Sequence, residues 1–180
     1  MAGSLVKIDE EIVTSAVASV TLTGISSTYD VYKVVWTNVL PSNNSVALWF
    51  RLQNASGDVT SSNYDYARKL LRSSSSFGND STTNIGVFRS FTLGTGTSSQ
   101  EKSNGFSYCF NFSNSSEYSF ITQEEVVIDD VGETSGIAGG GVLTVAEAHT
   151  GITFFFGSAG SPSASGNIAS GTFTLYGLKK

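Results

Sequence analysis

Residues 29–53 hold two apolar segments, rich in β-branched and aromatic side chains, on either side of residues 41–44 (PSNN). Turn residues between two such segments are typical of a β-hairpin, so we predict that the segments pair as antiparallel strands. The first segment is apolar on both sides, which predicts a central strand covered on both faces. The second alternates, which predicts one face toward a core. The residues of that face are Val46, Leu48, Phe50 and Leu52.

Short segments of the same kind recur along the chain, separated by Gly-, Ser- and Asn-rich stretches. Segment 63–76 fits both strand and helix spacing, and we favour a strand. We interpret residues 73–84 as a polar loop, and the Gly-rich residues 132–141 as a span between strands. The further predicted strands include residues 16–22, 85–93, 106–112, 118–130, 142–145, 152–156 and 172–176. Eight to ten strands without intervening helices predict an all-β fold, an antiparallel, jelly-roll-like β-sandwich.

The length of 180 residues fits one domain, which we assign to residues 1–180. Residues 4–13 are expected to form an opening strand, or residues 1–15 an extended N-terminal arm. No stretch is long enough to serve as a linker between two domains. The N-terminus lacks a basic start followed by a long apolar run, so we expect no secretory signal.

Aromatic residues alternate most regularly between residues 106 and 112. We predict that these rings lie in the core, because aromatics at strand spacing more often fill a sandwich than line a ligand site. They are Phe106, Tyr108, Phe110 and Phe112. Cys109 is the only cysteine, which excludes an internal disulfide and a multi-cysteine zinc site. We interpret it as a small buried hydrophobic residue.

Sequence signatures of catalysis are missing. The chain has no phosphate loop, no dinucleotide fingerprint and no Gly-x-Ser-x-Gly elbow. His149 is the only histidine; Glu147 could orient it, but we favour a surface or interface histidine. The net charge of −5 disfavours binding to nucleic-acid phosphates. We therefore expect a protein that is not an enzyme and that needs no cofactor or metal.

Carbohydrate binding stays open, because sugar sites on β-sandwiches use aromatic platforms beside polar groups. Four residues are candidate platforms: Trp36, Trp49, Tyr64 and Tyr66. Their other interpretation is packing in the core or in a subunit interface. Trp49 lies opposite the predicted core face of its strand, so it is the better candidate for a contact residue.

Three segments carry a resemblance that extends over nearly the full length: residues 17–22 (VASVTL), 27–32 (STYDVY) and 170–179 (SGTFTLYGLK). With these segments the chain resembles a family of small β-rich virion proteins of tailed bacteriophages, notably marine phages such as cyanophages. The shared patterns are strands and turns, and they bring no catalytic or binding residues with them.

The resemblance implies a structural protein on the virion surface, made in the cytoplasm of a bacterial host. It would be a capsid decoration or knob protein, with other virion proteins as partners and a homo-oligomer, such as a trimer, as its assembly. The alternative is a tail-fibre or receptor-binding module that recognises host-surface carbohydrate. Neither role involves nucleic acid or insertion into a membrane.

Overall fold

The computed structural model describes residues 4–74, 77–90, 94–158 and 163–179. Within these ranges the chain forms thirteen β-strands. They are β1 (Leu5–Val13), β2 (Ser19–Thr23), β3 (Val31–Pro41), β4 (Val46–Asn54), β5 (Gly57–Asp58), β6 (Tyr64–Arg72), β7 (Gly78–Ile85), β8 (Phe88–Arg89), β9 (Ser103–Phe110), β10 (Ser119–Ile128), β11 (Thr134–Leu143), β12 (Gly151–Ser158) and β13 (Ile168–Leu178). The described residues contain no helix that is long and apolar enough to cross a membrane.

The antiparallel pairings of nine of these strands are nested. β1 pairs with β13, β2 with β12, β3 with β9, and β4 with the short strands β5 and β8. A long antiparallel ribbon folded over into two sheets gives this order, which is that of a jelly roll. The predicted all-β fold, an antiparallel sandwich of jelly-roll type, is confirmed.

The two sheets differ in width. The larger has eight strands in the order β1-β13-β3-β9-β10-β11-β6-β7, and the smaller has the order β2-β12-β4-β5 with β8 also on β4. The nested pairings account for β1, β13, β3 and β9 of the larger sheet. The remaining four strands, β10, β11, β6 and β7, extend that sheet beyond β9, and we call them the extension.

Aromatic rings fill the space between the sheets. Phe154 of β12 is central, with its ring centroid 5.8 Å from Trp36, 5.3 Å from Phe50 and 5.0 Å from Phe173. All four side chains are fully buried. Tilted ring pairs at these distances contribute about 0.5–1.5 kcal/mol each beyond their buried area, so this cluster holds the sheets together.

The predicted hairpin is wrong. β3 and β4 lie in different sheets, and the residues between them carry the chain from one sheet to the other. Turn residues between two apolar strands suit both connections, so the sequence pattern alone does not separate them. The core face predicted for β4 is confirmed. The outer face of β3 is only half-buried at Val31, Lys33 and Val35, so the prediction of cover on both faces is also wrong.

Within segment 63–76, Tyr64–Arg72 form a strand, β6, as we favoured; residues 75 and 76 lie outside the described residues. Two predicted non-strand segments are strands as well. The polar residues 78–85 form β7, which is an edge strand and pairs with β6 through the backbone. The Gly-rich segment forms β11, where glycines fit between close neighbours: a Cβ at Gly140 would lie 2.6 Å from the carbonyl oxygen of Ile121. Phe91 and Leu93 of the predicted strand 85–93 lie outside the described residues.

The N-terminal residues form the strand expected as one alternative to an arm. β1 pairs with β13 along its length, with a register shift between Lys7 and Asp9. It is one of the two edge strands of the larger sheet, and β7 is the other. Asp9 also accepts a hydrogen bond from the Thr23 amide at 2.7 Å, which ties β1 to the neighbouring edge of the smaller sheet.

Candidate functional site

The four predicted aromatic platforms are all buried. Trp36 is fully buried between the sheets, where its Nε1 donates to Ser103 Oγ at 3.1 Å. Tyr64 is fully buried as well; its hydroxyl donates to the Val59 carbonyl at 2.9 Å and accepts from the Leu52 amide at 3.1 Å. Burial raises the pKa of this phenol. Both rings are part of the core and present no face to a ligand.

Trp49 points away from the core between the sheets, as predicted, but other side chains cover it. It packs with Val87 and Phe155, and the Arg89 guanidinium lies 4.3 Å from its ring centre. Tyr66 is also buried, with the Arg68 guanidinium 4.5 Å from its ring. The expectation of exposed platforms at these four positions is therefore corrected: each ring packs against other residues of the chain.

The aromatic alternation on β9 faces the other way from our prediction. Phe106, Tyr108 and Phe110 are half-buried on the outer face of the larger sheet, whereas Ser107 and Cys109 point inward and are buried. Only Phe112, beyond the end of the strand, lies in the core as predicted. Cys109 is buried as predicted, and burial raises the pKa of its thiol to about 12. Since neighbouring strand residues point to opposite faces, a buried Cys109 requires outward-facing rings on either side of it.

Strand register extends this outer face across the extension in two rows. In the first, Tyr108 lies beside Thr122, followed by Gly140 and Ala67. In the second, Phe106 lies beside Glu124, followed by Ala138 and Lys69. Each residue of a row lies on the strand next to that of the residue before it. In both rows the residue on β11 is small. The outer face therefore has a trough over β11.

An open cavity lies at each end of the trough. One, of about 490 Å³, lies between Phe120 and residues 81–83, over Gly140. The other, of about 390 Å³, lies between Phe106, Val126 and Leu71, over Ala138. We call the trough, with both cavities, the β11 groove.

A lysine of β3 reaches over the aromatic rings beside the groove. Lys33 Nζ lies 4.4 Å from the ring centre of Phe106 and 5.1 Å from that of Tyr108. The two rings are perpendicular, with centroids 5.8 Å apart. A cation over an aromatic face is attracted by the ring quadrupole, so Lys33 helps to hold both rings in place.

Beneath the groove, the inner face of the extension carries a buried polar cluster. Glu125 accepts hydrogen bonds from Ser90 Oγ and Ser103 Oγ, and burial raises the pKa of its carboxyl to about 7. Arg68 pairs with Asp80 at 2.6 Å and donates to the Ser90 carbonyl at 2.8 Å. Buried polar groups held in this way fix the geometry of a sheet, so the groove has a rigid floor.

His149 is buried, with 1% of its surface exposed, and its ring centre lies 5.9 Å from that of Phe112. The preferred interpretation as a surface or interface histidine is wrong, because the chain's own residues cover this side chain. Burial lowers the pKa of its imidazole. The Glu147 carboxylate accepts from Asn54 Nδ2 at 2.9 Å.

A second surface lies at the opposite side of the larger sheet. There β1 is the edge strand of the larger sheet and β2 is the edge strand of the smaller one. The two strands lie beside each other, and a cleft of about 360 Å³ opens between them. Its rim carries exposed aliphatic side chains, among them Ile12 at 63% and Val17 at 38%. Leu5 and Val6, at the start of β1, are exposed as well. We call this surface the β1 edge.

Sequence reasoning missed the groove because it placed the rings of β9 in the core. One signal was present: Gly136, Ala138 and Gly140 recur at a spacing of two, which puts three small residues on one face of a strand. Among the described residues, no three His, Cys, Asp or Glu side chains lie close enough together to hold a metal ion. Comparison with protein-family models, with curated proteins and with solved structures finds no significant match.

Proposed function

We propose that this chain is a non-enzymatic structural protein of a bacteriophage particle, a capsid decoration protein attached to the particle through the β1 edge. The phage setting rests on the resemblance of the sequence to small virion proteins. The attachment rests on one structural observation: two sheet edges lie side by side under exposed aliphatic residues.

Edge strands present backbone N–H and C=O groups that can pair with a strand of another protein. On β1 these groups lie beside the exposed side chains of Leu5, Val6 and Ile12. A partner strand added there would extend the eight-stranded sheet and cover the three side chains. The charged residues Lys7 and Glu10 lie between them and form an ion pair at 2.9 Å, which favours a specific partner over indiscriminate pairing.

Locating the chain in purified particles tests this proposal. Heads separated from tails should carry it in a fixed copy number, visible by electron microscopy and by quantitative mass spectrometry. Recovery of the chain with tails alone would replace this proposal by the second one below. Its absence from both fractions would overturn a virion role.

Reconstitution tests the surface. Heads that lack the protein should bind the purified chain, and Ile12→Lys should reduce that binding at least tenfold. Val131→Lys is the matched control, because Val131 is 70% exposed in the turn between β10 and β11, away from the β1 edge. Equal binding by both variants would contradict attachment through the β1 edge.

A tail-fibre or receptor-binding module is the second candidate. The β11 groove favours it, because the groove combines aromatic, aliphatic and polar side chains on a surface that attachment through the β1 edge would leave free. Such a module should be present in few copies and should bind host cells.

A further inference from the structure

We propose that the β11 groove binds a neutral oligosaccharide, with the sugar rings lying along β11. This inference stands whether the chain is attached to the head or to the tail. It depends on the groove alone and not on the β1 edge.

The floor of the groove is backbone with almost no side chain. Gly136, Ala138 and Gly140 occupy successive outward positions of β11, between the side chains of β10 and those of β6. From residue 136 to residue 140 the strand extends for about 14 Å, at about 3.4 Å per residue, and the outward side chain of Val142 ends this floor. A short chain of sugar rings fits into such a trough, because the floor before Val142 carries nothing larger than the methyl group of Ala138.

The walls offer both a hydrogen-bond acceptor and a donor. Glu124 on β10 and Lys69 on β6 stand on either side of Ala138, on strands whose backbones are about 10 Å apart. Glu124 and Lys69 are both exposed. Thr122, also exposed, adds a hydroxyl on the β10 wall. Sugar hydroxyls both donate and accept, so they can bond to a carboxylate on one wall and to an ammonium group on the other.

Apolar side chains supply stacking surfaces beside these polar groups. Phe120, which is 44% exposed, borders one end of the groove, and Phe106, Val126 and Leu71 border the other. The C–H faces of sugar rings pack on such surfaces. A few polar groups that fix orientation, among mostly apolar walls, are the usual make-up of a small-ligand site.

Other occupants fit the groove less well. β11 is paired on both sides, with β10 and with β6, so an added peptide strand would find no free backbone edge there. A purely apolar ligand would remove the Glu124 carboxylate from water without a compensating bond, although Lys69 would keep its hydrogen bond to Asn79 Oδ1 at 2.6 Å. An anionic ligand would meet Glu124 and a chain of net charge −5. The opposite charges of the two walls therefore favour a neutral ligand with many hydroxyl groups.

An array of neutral polysaccharides from bacterial surfaces, together with α- and β-glucan oligosaccharides of four to seven units, tests the proposal. The wild-type chain should bind at least one neutral glycan on the array. Isothermal titration with that glycan should then show at least a tenfold loss of affinity in two variants. Ala138→Leu places a side chain on the groove floor, and Glu124→Gln removes the charged acceptor, a bond to a charged group being worth about tenfold or more in affinity.

Ala55→Leu is the matched control, because Ala55 is exposed in the turn between β4 and β5. It should bind the glycan as the wild type does. Circular dichroism checks that each variant is folded, and Glu124→Gln keeps the test valid if Ala138→Leu misfolds. Three results would overturn the proposal: no neutral glycan bound, affinity retained in both groove variants, or a wild-type oligomer that Ala138→Leu converts to monomer. The last would identify a second copy of the chain as the occupant.

Discussion

Gly105 on β9 lies opposite Trp36 on β3, and the indole of Trp36 occupies the space that a side chain at residue 105 would need. A Cβ at Gly105 would lie 2.5 Å from Trp36 Cζ2 and 2.7 Å from the carbonyl oxygen of Glu124. The largest ring of the core thus lies against bare backbone. The strand that carries Phe106 and Tyr108 on its outer face is therefore fixed from the inside.

Gly105→Ala should lower the free energy of unfolding by about 1–3 kcal/mol, because the indole and two strands would have to move apart. Denaturation with guanidinium chloride measures the change. Gly78→Ala is the control, since a Cβ there would lie 3.6 Å from Leu70 Cβ, an ordinary contact. Equal stability of the two variants would contradict the close packing of Trp36 on Gly105.

Glu125 should make the protein less stable as the pH rises. The pKa of its carboxyl is about 7 in the fold and 4.5 when unperturbed, so between these values the folded state keeps a proton that the unfolded state has lost. The free energy of unfolding contributed by this group is therefore highest below about pH 4.5, falls up to about pH 7, and is level above it.

Glu125→Gln cannot ionise, so it should gain about 1–3 kcal/mol relative to wild type between about pH 5 and about pH 8. Urea denaturation at both pH values measures the difference. His149, whose pKa burial lowers, titrates in both proteins and cancels in the comparison. Parallel stability curves for the two proteins would show that Glu125 is already charged in the fold.

Asp80→Ala should destabilise the protein by about 3 kcal/mol, because it leaves the Arg68 guanidinium, only 2% exposed, without its carboxylate. Thermal unfolding measures the loss. The matched control is Glu10→Ala, which breaks the exposed ion pair with Lys7 and should leave the melting temperature almost unchanged. A similar shift for both variants would mean that the Arg68–Asp80 pair behaves as a surface pair.

Cys109 should not react with Ellman's reagent in the native protein at mildly alkaline pH, because its thiol is fully buried and the raised pKa keeps it protonated. After denaturation it should react with one equivalent. The two rates are read by absorbance on the same sample. Rapid labelling of the native protein would mean that β9 opens locally, in contrast to the packing of Trp36 on Gly105.

Sequence patterns predicted the positions of the strands more reliably than the pairing and orientation of the strands in the sheets. In β4 the alternation predicted the core face correctly, because the polar residues Arg51 and Gln53 mark the other face of the strand. The alternation in β9 did not predict the core face correctly. Alternation shows that one face of the strand is apolar, but it does not show whether that face points to the core or to the outside. Cys109, correctly interpreted as buried, already required Phe106 and Tyr108 to face outward.

Two other differences have a physical origin in the partners of each strand. The apolar strands β3 and β4 suit a hairpin as well as a crossing between sheets, and only the pairing of β3 with β13 and β9 decides between them. β7 and β11 contain few strand-forming side chains. Backbone hydrogen bonds to the neighbouring strands hold β7 and β11 in the extended conformation, and the strand propensity of their own residues does not predict this. The groove over β11 was missed because this segment was interpreted as a span between strands and the rings of β9 were placed in the core.

The pairing of the edge strand β1 with β13 determines how the protein responds to tension. Leu5 lies opposite Leu178, and the Lys179 amide donates to the Ser4 carbonyl at 3.0 Å, so both ends of the described chain leave at one corner. In an antiparallel pair the hydrogen bonds run perpendicular to the strands. A pull between residues 5 and 178 would therefore break the hydrogen bonds between β1 and β13 one pair at a time, so the fold offers little resistance to force along the line that joins these two residues.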